Sequence, residues 1–261
     1  MKKHLLLFIS IVALCTVSAQ ERPSFNSTTY DHFTTDVQEN LYCWKGSSLD
    51  KYSNAGKLAY HFSQLQYGEI TSVCASIASK TVVFYKESGI ILLLDNKLAP
   101  IGNPLNLFEH NLFTISLVAM TGTNQLALYD EVNQNLIITD LNLNILTKTF
   151  CDFGPEFRPT VIETQLDKSI LLADSSCGIF LFDKYGTYDK RIAMPNISQM
   201  QYYGNTLLLL KENELFAYTF PSMELQRIDI NQKTSQFRIG KSQLFYLDPS
   251  GRITSKTFII D

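Results

Sequence analysis

Ser169-Ile170-Leu171-Leu172-Ala173-Asp174, then Ser175-Ser176-Cys177, then Gly178-Ile179-Phe180-Leu181-Phe182-Asp183 is the stretch on which the fold of this chain turns. Two mostly apolar runs flank a short turn of small polar residues that ends at a glycine. Such runs suit strands packed on both faces, and the turn suits a chain reversal, so the stretch reads as a β-hairpin. The same pattern recurs before and after it. Thr81-Val82-Val83-Phe84-Tyr85 precedes Gly89-Ile90-Ile91-Leu92-Leu93-Leu94-Asp95, and Gln125-Leu126-Ala127-Leu128-Tyr129-Asp130 precedes Leu136-Ile137-Ile138-Thr139-Asp140. Thr206-Leu207-Leu208-Leu209-Leu210 is followed by Glu214-Leu215-Phe216-Ala217-Tyr218, and Gln243-Leu244-Phe245-Tyr246-Leu247-Asp248 by Gly251-Arg252-Ile253-Thr254. A weaker copy, Leu41-Tyr42-Cys43-Trp44 with Leu49-Asp50-Lys51-Tyr52, opens the series.

Spacing decides what the repeat builds. From Leu41 through Val82, Leu126, Ile170, Leu207 and Leu244 the steps are 41, 44, 44, 37 and 37 residues. A period near 40 residues made of hairpins marks propeller blades, whereas helical repeats of that length would carry a 3.6-residue apolar period. Each hairpin has room for one strand before and one after. For the Gln125 hairpin these are expected at residues 113–118 and 146–150. The reading is an all-β propeller, most simply of six four-stranded blades, with five or seven as alternatives. No residues remain beyond the last hairpin for an outermost strand, so residues 23–30 are expected to pair with the C-terminal blade and close the ring.

Lys2 and Lys3, the apolar residues 5–15 and then Val17-Ser18-Ala19 form an export signal with cleavage expected after Ala19. The apolar run is too short for a transmembrane helix, which needs about 20 residues. A lipid anchor on Cys15 and an uncleaved anchor are the competing readings; Leu14 is larger than lipoprotein processing favours. The expected division is residues 1–19 as signal and residues 20–261 as one propeller domain, periplasmic or associated with the cell envelope, with no transmembrane segment after cleavage.

Composition narrows the partners. Twenty-two basic residues against 25 acidic ones give a net charge of −3, and only 18% of residues are charged, which leaves no broad cationic surface for nucleic acid. Four cysteines follow the signal, Cys43, Cys74, Cys151 and Cys177, with no metal-binding spacing. In an oxidising compartment they permit disulfides in any of three connectivities, or they stay as buried thiols. No bound metal or cofactor is expected. Asp130, Asp174 and Asp248, and likewise Asp95, Asp140 and Asp183, fall at matching strand ends and are read as turn-forming residues, since calcium would require several to converge. Gly89, Gly178 and Gly251 suit turns with positive φ.

Catalytic motifs are not evident: His32, His61 and His110 are scattered, and no nucleophile elbow, zinc-protease or phosphate-loop pattern occurs. The loop richest in binding chemistry is Cys151-Asp152-Phe153-Gly154-Pro155-Glu156-Phe157-Arg158-Pro159, between the third and fourth blades. Phe153, Glu156, Phe157 and Arg158 are its candidate partner contacts; the alternative is a rigid connection with Arg158 paired to a carboxylate.

Gly68-Glu69-Ile70-Thr71-Ser72-Val73, Val83-Phe84-Tyr85-Lys86, Leu94-Asp95-Asn96-Lys97-Leu98 and Gly178-Ile179-Phe180-Leu181-Phe182-Asp183-Lys184-Tyr185-Gly186 occur in this order. Together they resemble an uncharacterised family of exported Bacteroidota proteins of the YVTN/NHL-like propeller type, over roughly residues 40–230. The chain departs from the family pattern at Cys74-Ala75-Ser76-Ile77-Ala78-Ser79 and at Ala127-Leu128, before Tyr129-Asp130. The resemblance implies a cell-envelope setting and lends no catalytic residues. The expected function is therefore a non-enzymatic scaffold that binds an envelope protein or peptide through its loop face. A propeller lyase or hydrolase acting on a glycan or lactone, and a small-ligand or sugar binder, are the alternatives. The oligomeric state is left open.

Overall fold

Every hairpin anticipated from the repeat falls in a sheet of its own in the computed structural model, which describes residues 29–220, 222–230, 234–241 and 243–258, and the first five form the two middle strands of theirs. The first blade comprises β1 (His32–Thr35), β2 (Leu41–Lys45), β3 (Ser48–Tyr52) and β4 (Leu58–Ser63). The second has β5 (Ser72–Ile77), β6 (Lys80–Tyr85), β7 (Ile90–Leu94) and β8 (Leu105–Asn106), and the third β9 (Ile115–Gly122), β10 (Gln125–Asp130), β11 (Asn135–Asp140) and β12 (Ile145–Phe150). In the fourth are β13 (Val161–Gln165), β14 (Ser169–Asp174), β15 (Gly178–Asp183) and β16 (Tyr188–Ile192). The fifth holds β17 (Ile197–Tyr203), β18 (Thr206–Lys211), β19 (Glu214–Thr219) and β20 (Glu224–Ile228). Blade six shows β21 (Gln236–Ile239), β22 (Gln243–Leu247) and β23 (Ile253–Thr257) among the described residues. All pairings within the sheets are antiparallel between neighbours in sequence, so the protein is a six-bladed propeller.

Period-two alternation explains how blades hold one another. Val82 and Phe84 of β6 pack against the third blade, whereas Val83 and Tyr85 face the first. The same division recurs around the ring, with Leu126 and Leu128 facing the second blade and Ala127 and Tyr129 the fourth. Six apolar clusters result, each filling the gap between two adjacent blades. The last of them joins the ends of the chain: Tyr30, Phe33, Leu41, Cys43 and Tyr52 pack with Phe245, Leu247 and Ile253. At the same seam the Tyr30 N–H donates to the Gly251 carbonyl at 3.0 Å. Gly251 has φ 80°, a conformation that disfavours a side chain, so its backbone can approach Thr29 and Tyr30. The expected export signal, residues 1–19, and residues 23–28 of the expected closing segment lie outside the described residues.

Aspartates at the strand ends close turns, as their chemistry dictates. Asp95 Oδ1 accepts the N–H groups of Lys97 and Ala99, and Asp140, Asp183 and Asp248 repeat the same two-bond pattern. Asp130 and Asp174 accept from Asn133 and from Ser176 and Cys177, respectively. One boundary differs from expectation. β9 starts at Ile115, and Phe113 lies in the connection before it, where Asn111 in a left-handed conformation (φ 58°) redirects the chain.

Candidate functional site in the central channel

Strand order fixes what each part of the ring can present. Because successive strands alternate in direction, the turns between second and third strands lie on the same face as the connections from blade to blade. This connection face carries residues 64–71, 107–114 and 151–160, together with the β6–β7, β10–β11 and β14–β15 turns. The innermost strands β1, β5, β9, β13, β17 and β21 meet around a central channel of about 810 Å³.

An inner strand has a blade on one side and the channel on the other, so alternate residues can be polar at little desolvation cost. Gln199 and Gln201 on β17, and Gln236 and Arg238 on β21, follow that two-residue spacing along the wall. Some of these side chains join blades. Gln201 Oε1 accepts the Ile239 N–H at 2.7 Å, while its Nε2 donates to the Ile239 carbonyl at 2.8 Å. Gln199 Oε1 takes the Phe237 N–H at 3.0 Å, and Gln236 Oε1 takes the Phe33 N–H at 2.9 Å. Splayed inner strands are too far apart to pair directly, and the amides bridge the gap.

Two opposite charges stand on the same wall. Glu163, on β13, is walled in by the ring and partly accessible from the channel. Burial pushes its carboxyl up to about 7, against the opposing influence of Arg238 and of the Tyr202 backbone N–H that it accepts. Arg238 donates from Nε to Thr34 Oγ1 at 3.2 Å, and its Nη1 reaches the Phe237 and Met200 carbonyls at 3.4 and 3.5 Å. Glu163 and Arg238 feel each other electrostatically but do not close into an ion pair. Two further wall residues, Trp44 and Ser116, carry buried polar atoms (Nε1 and Oγ) without a protein hydrogen-bond partner. His32 stacks on Trp44 at 5.4 Å, and burial lowers its basicity. Lys86 and Glu131 pair at 3.1 Å across the second and third blades and also border the channel.

The contact loop anticipated at 151–159 needs correction. Phe157 is fully buried, edge-on to Tyr129, Phe153 and Phe180, and Phe153 packs against Phe180 at 4.4 Å. Phe157 is closed into the gap between the third and fourth blades, while Phe153 packs beside it and stays half-buried. Glu156 and Arg158 are exposed. Arg158 does meet a carboxylate, but through its backbone N–H, which Asp174 Oδ2 accepts; its guanidinium donates to the Phe157 carbonyl at 3.1 Å. Cys43, Cys74, Cys151 and Cys177 all carry free thiols. Cys43 and Cys151 are buried in the gaps between blades, and burial raises both thiols, Cys151 to about 11. Cys74 borders the channel. Among the described residues no group of three or more His, Cys, Asp or Glu side chains is placed to hold a metal ion. Nor is any helix there long and apolar enough to cross a membrane.

Sequence reasoning passed over the channel wall and one surface feature. Phe113, 62% exposed, stacks on Phe108 at 5.9 Å on the connection face. Val132, 68% exposed, follows Glu131, whose N–H donates to the Thr114 carbonyl at 3.0 Å, next to Phe113 in sequence.

The fold and site thus define a six-bladed propeller with a charged channel and an aromatic patch on its connection face. No family model and no curated protein matches the chain. Among solved structures it is similar to virginiamycin B lyase from Staphylococcus aureus, at TM-score 0.60 and 12% identity over 87% of this chain and 80% of that one. The WD40 domain of Neurospora crassa Pan2 gives 0.61 and 9% over 89% and 90% of the two chains. BBS1N, solved in complex with ARL6DN, gives 0.58 and 17% over 84% and 74%. At such identities the likeness is one of fold, that of a β-propeller.

Proposed function

We propose that the protein is an exported, non-enzymatic scaffold whose connection face binds a protein or peptide of the cell envelope. The observation that carries this reading is the Phe108–Phe113 stack with Val132, large apolar side chains held in the open by a rigid ring. Aromatic anchors on a fixed support lose little entropy on binding, and exposed Glu156 and Arg158 lie on the same face to supply polar contacts. BBS1N bound to ARL6DN is a precedent for this fold engaging a protein. Export rests on the first 19 residues, and the envelope setting on the family resemblance.

Affinity capture from a Bacteroidota envelope fraction tests the reading. The wild-type protein is expected to retain a specific partner, and Phe113→Asp combined with Val132→Asp is expected to lose it with an unchanged melting temperature. Equal capture by both proteins, or no macromolecular partner at all, sinks the proposal. A second reading, a small-ligand binder without catalysis, is favoured by the opposed charges of the channel wall.

A further inference from the structure

We propose that the central channel binds a small zwitterion, an amino acid or a short peptide, with the ligand's ammonium on Glu163 and its carboxylate on Arg238. This site is separate from the aromatic patch, and it stands or falls independently of the scaffold reading.

Placement is the first support. Glu163 belongs to the fourth blade and Arg238 to the sixth, with the fifth blade between them. Both strands form the wall of one channel, whose volume of about 810 Å³ lies in the usual range of ligand pockets. Their neighbours hold the two groups without neutralising them. Arg238 is fixed by Thr34, Met200 and Phe237, which occupy Nε and Nη1 and leave Nη2 without a protein partner among the described residues. Glu163 accepts the Tyr202 N–H, whereas a carboxylate offers about four acceptor positions.

Selectivity follows from the pairing. A simple anion drawn to Arg238 meets the field of Glu163, and a simple amine drawn to Glu163 meets that of Arg238. A ligand that carries both charges satisfies both groups and adds no net charge to a partly desolvated channel. Burial already disfavours the ionised carboxylate, so an arriving ammonium stabilises it by more than it would in water.

The test is calorimetric titration of the purified protein with alanine, dialanine and trialanine, beside N-acetyl-trialanine and trialanine amide. At least one free oligomer is expected to bind, and blocking either end of trialanine is expected to weaken binding tenfold or more. Glu163→Gln is expected to abolish discrimination against the acetylated peptide, and Arg238→Met discrimination against the amide. Should Arg238→Met fail to fold, the capped ligands on the unaltered protein still decide the matter. Failure of every free oligomer to bind, or equal binding of free and capped peptides, overturns the proposal.

Discussion

The gap between the third and fourth blades and the gaps that run from the fifth blade through the sixth to the first solve one problem differently. In the former, rings do the joining: Phe153, Phe157, Phe180, Phe182 and Tyr129 interlock with centroids 4.4 to 6.1 Å apart. In the latter, apolar clusters are supplemented by amides, with Gln199, Gln201 and Gln236 each clasping the backbone of the next inner strand. Blades three and four are neighbours in sequence, but so are five and six, so sequence distance alone does not choose between rings and amides. The seam between the chain's ends must also be placed in register, and directional hydrogen bonds do that where non-directional packing does not.

Breaking the aromatic gap is expected to have the largest effect. Phe157→Ala removes a fully buried ring and should cost about 3–5 kcal/mol in urea unfolding, with the melting temperature falling accordingly. Gln201→Leu tests the other side of the comparison. It leaves both backbone groups of Ile239 without their partner and is expected to cost about 1–3 kcal/mol, with faster amide exchange at Ile239 but not at Leu171. A loss as large as that of Phe157→Ala would erase the distinction between the two kinds of seam.

Glu163, which links the fourth blade to Tyr202 of the fifth, provides a pH-dependent contrast. Its carboxyl is raised from 4.5 to about 7, so the folded protein holds an extra proton between those values and stability falls as pH rises through that window. With allowance for water in the channel, the decline is about 1–2 kcal/mol, and Glu163→Gln is expected to flatten it in melting curves between pH 4.5 and 7.5. Lys86→Met gives the smallest change. Its ion pair with Glu131 is 38% and 41% exposed, so the loss is expected to stay below about 1 kcal/mol and to shrink further in salt.

The contrast between middle and inner strands also explains what could be read in advance. Middle strands such as Ile170–Ala173 are buried on both faces, and their unbroken apolar runs announce the repeat at once. Inner strands show the channel every second residue, so Glu163 with Gln165, Gln199 with Gln201, and Gln236 with Arg238 interrupt the apolar signal. That same alternation, just ahead of each hairpin, was the clue to the wall. Phe157 misled for the opposite reason: irregular backbone between two prolines suggests an exposed loop, yet this loop dips into the gap between blades. Room ahead of the Gln125 hairpin points to a strand at 113–118, but Asn111 redirects the chain and β9 starts only at Ile115.

The bond from Tyr30 to Gly251 also has a meaning in time. A ribosome delivers Tyr30 more than two hundred residues before its acceptor, and Phe33 waits similarly for Gln236. Contacts so distant along the chain form only after the entropy of closing that long segment has been overcome. The first blade therefore stays unlatched until the last has emerged, and a chain cut short never acquires the finished ring. Completion of synthesis is thus written into the architecture, and a protease that samples exposed edges would distinguish whole molecules from fragments without any dedicated recognition signal.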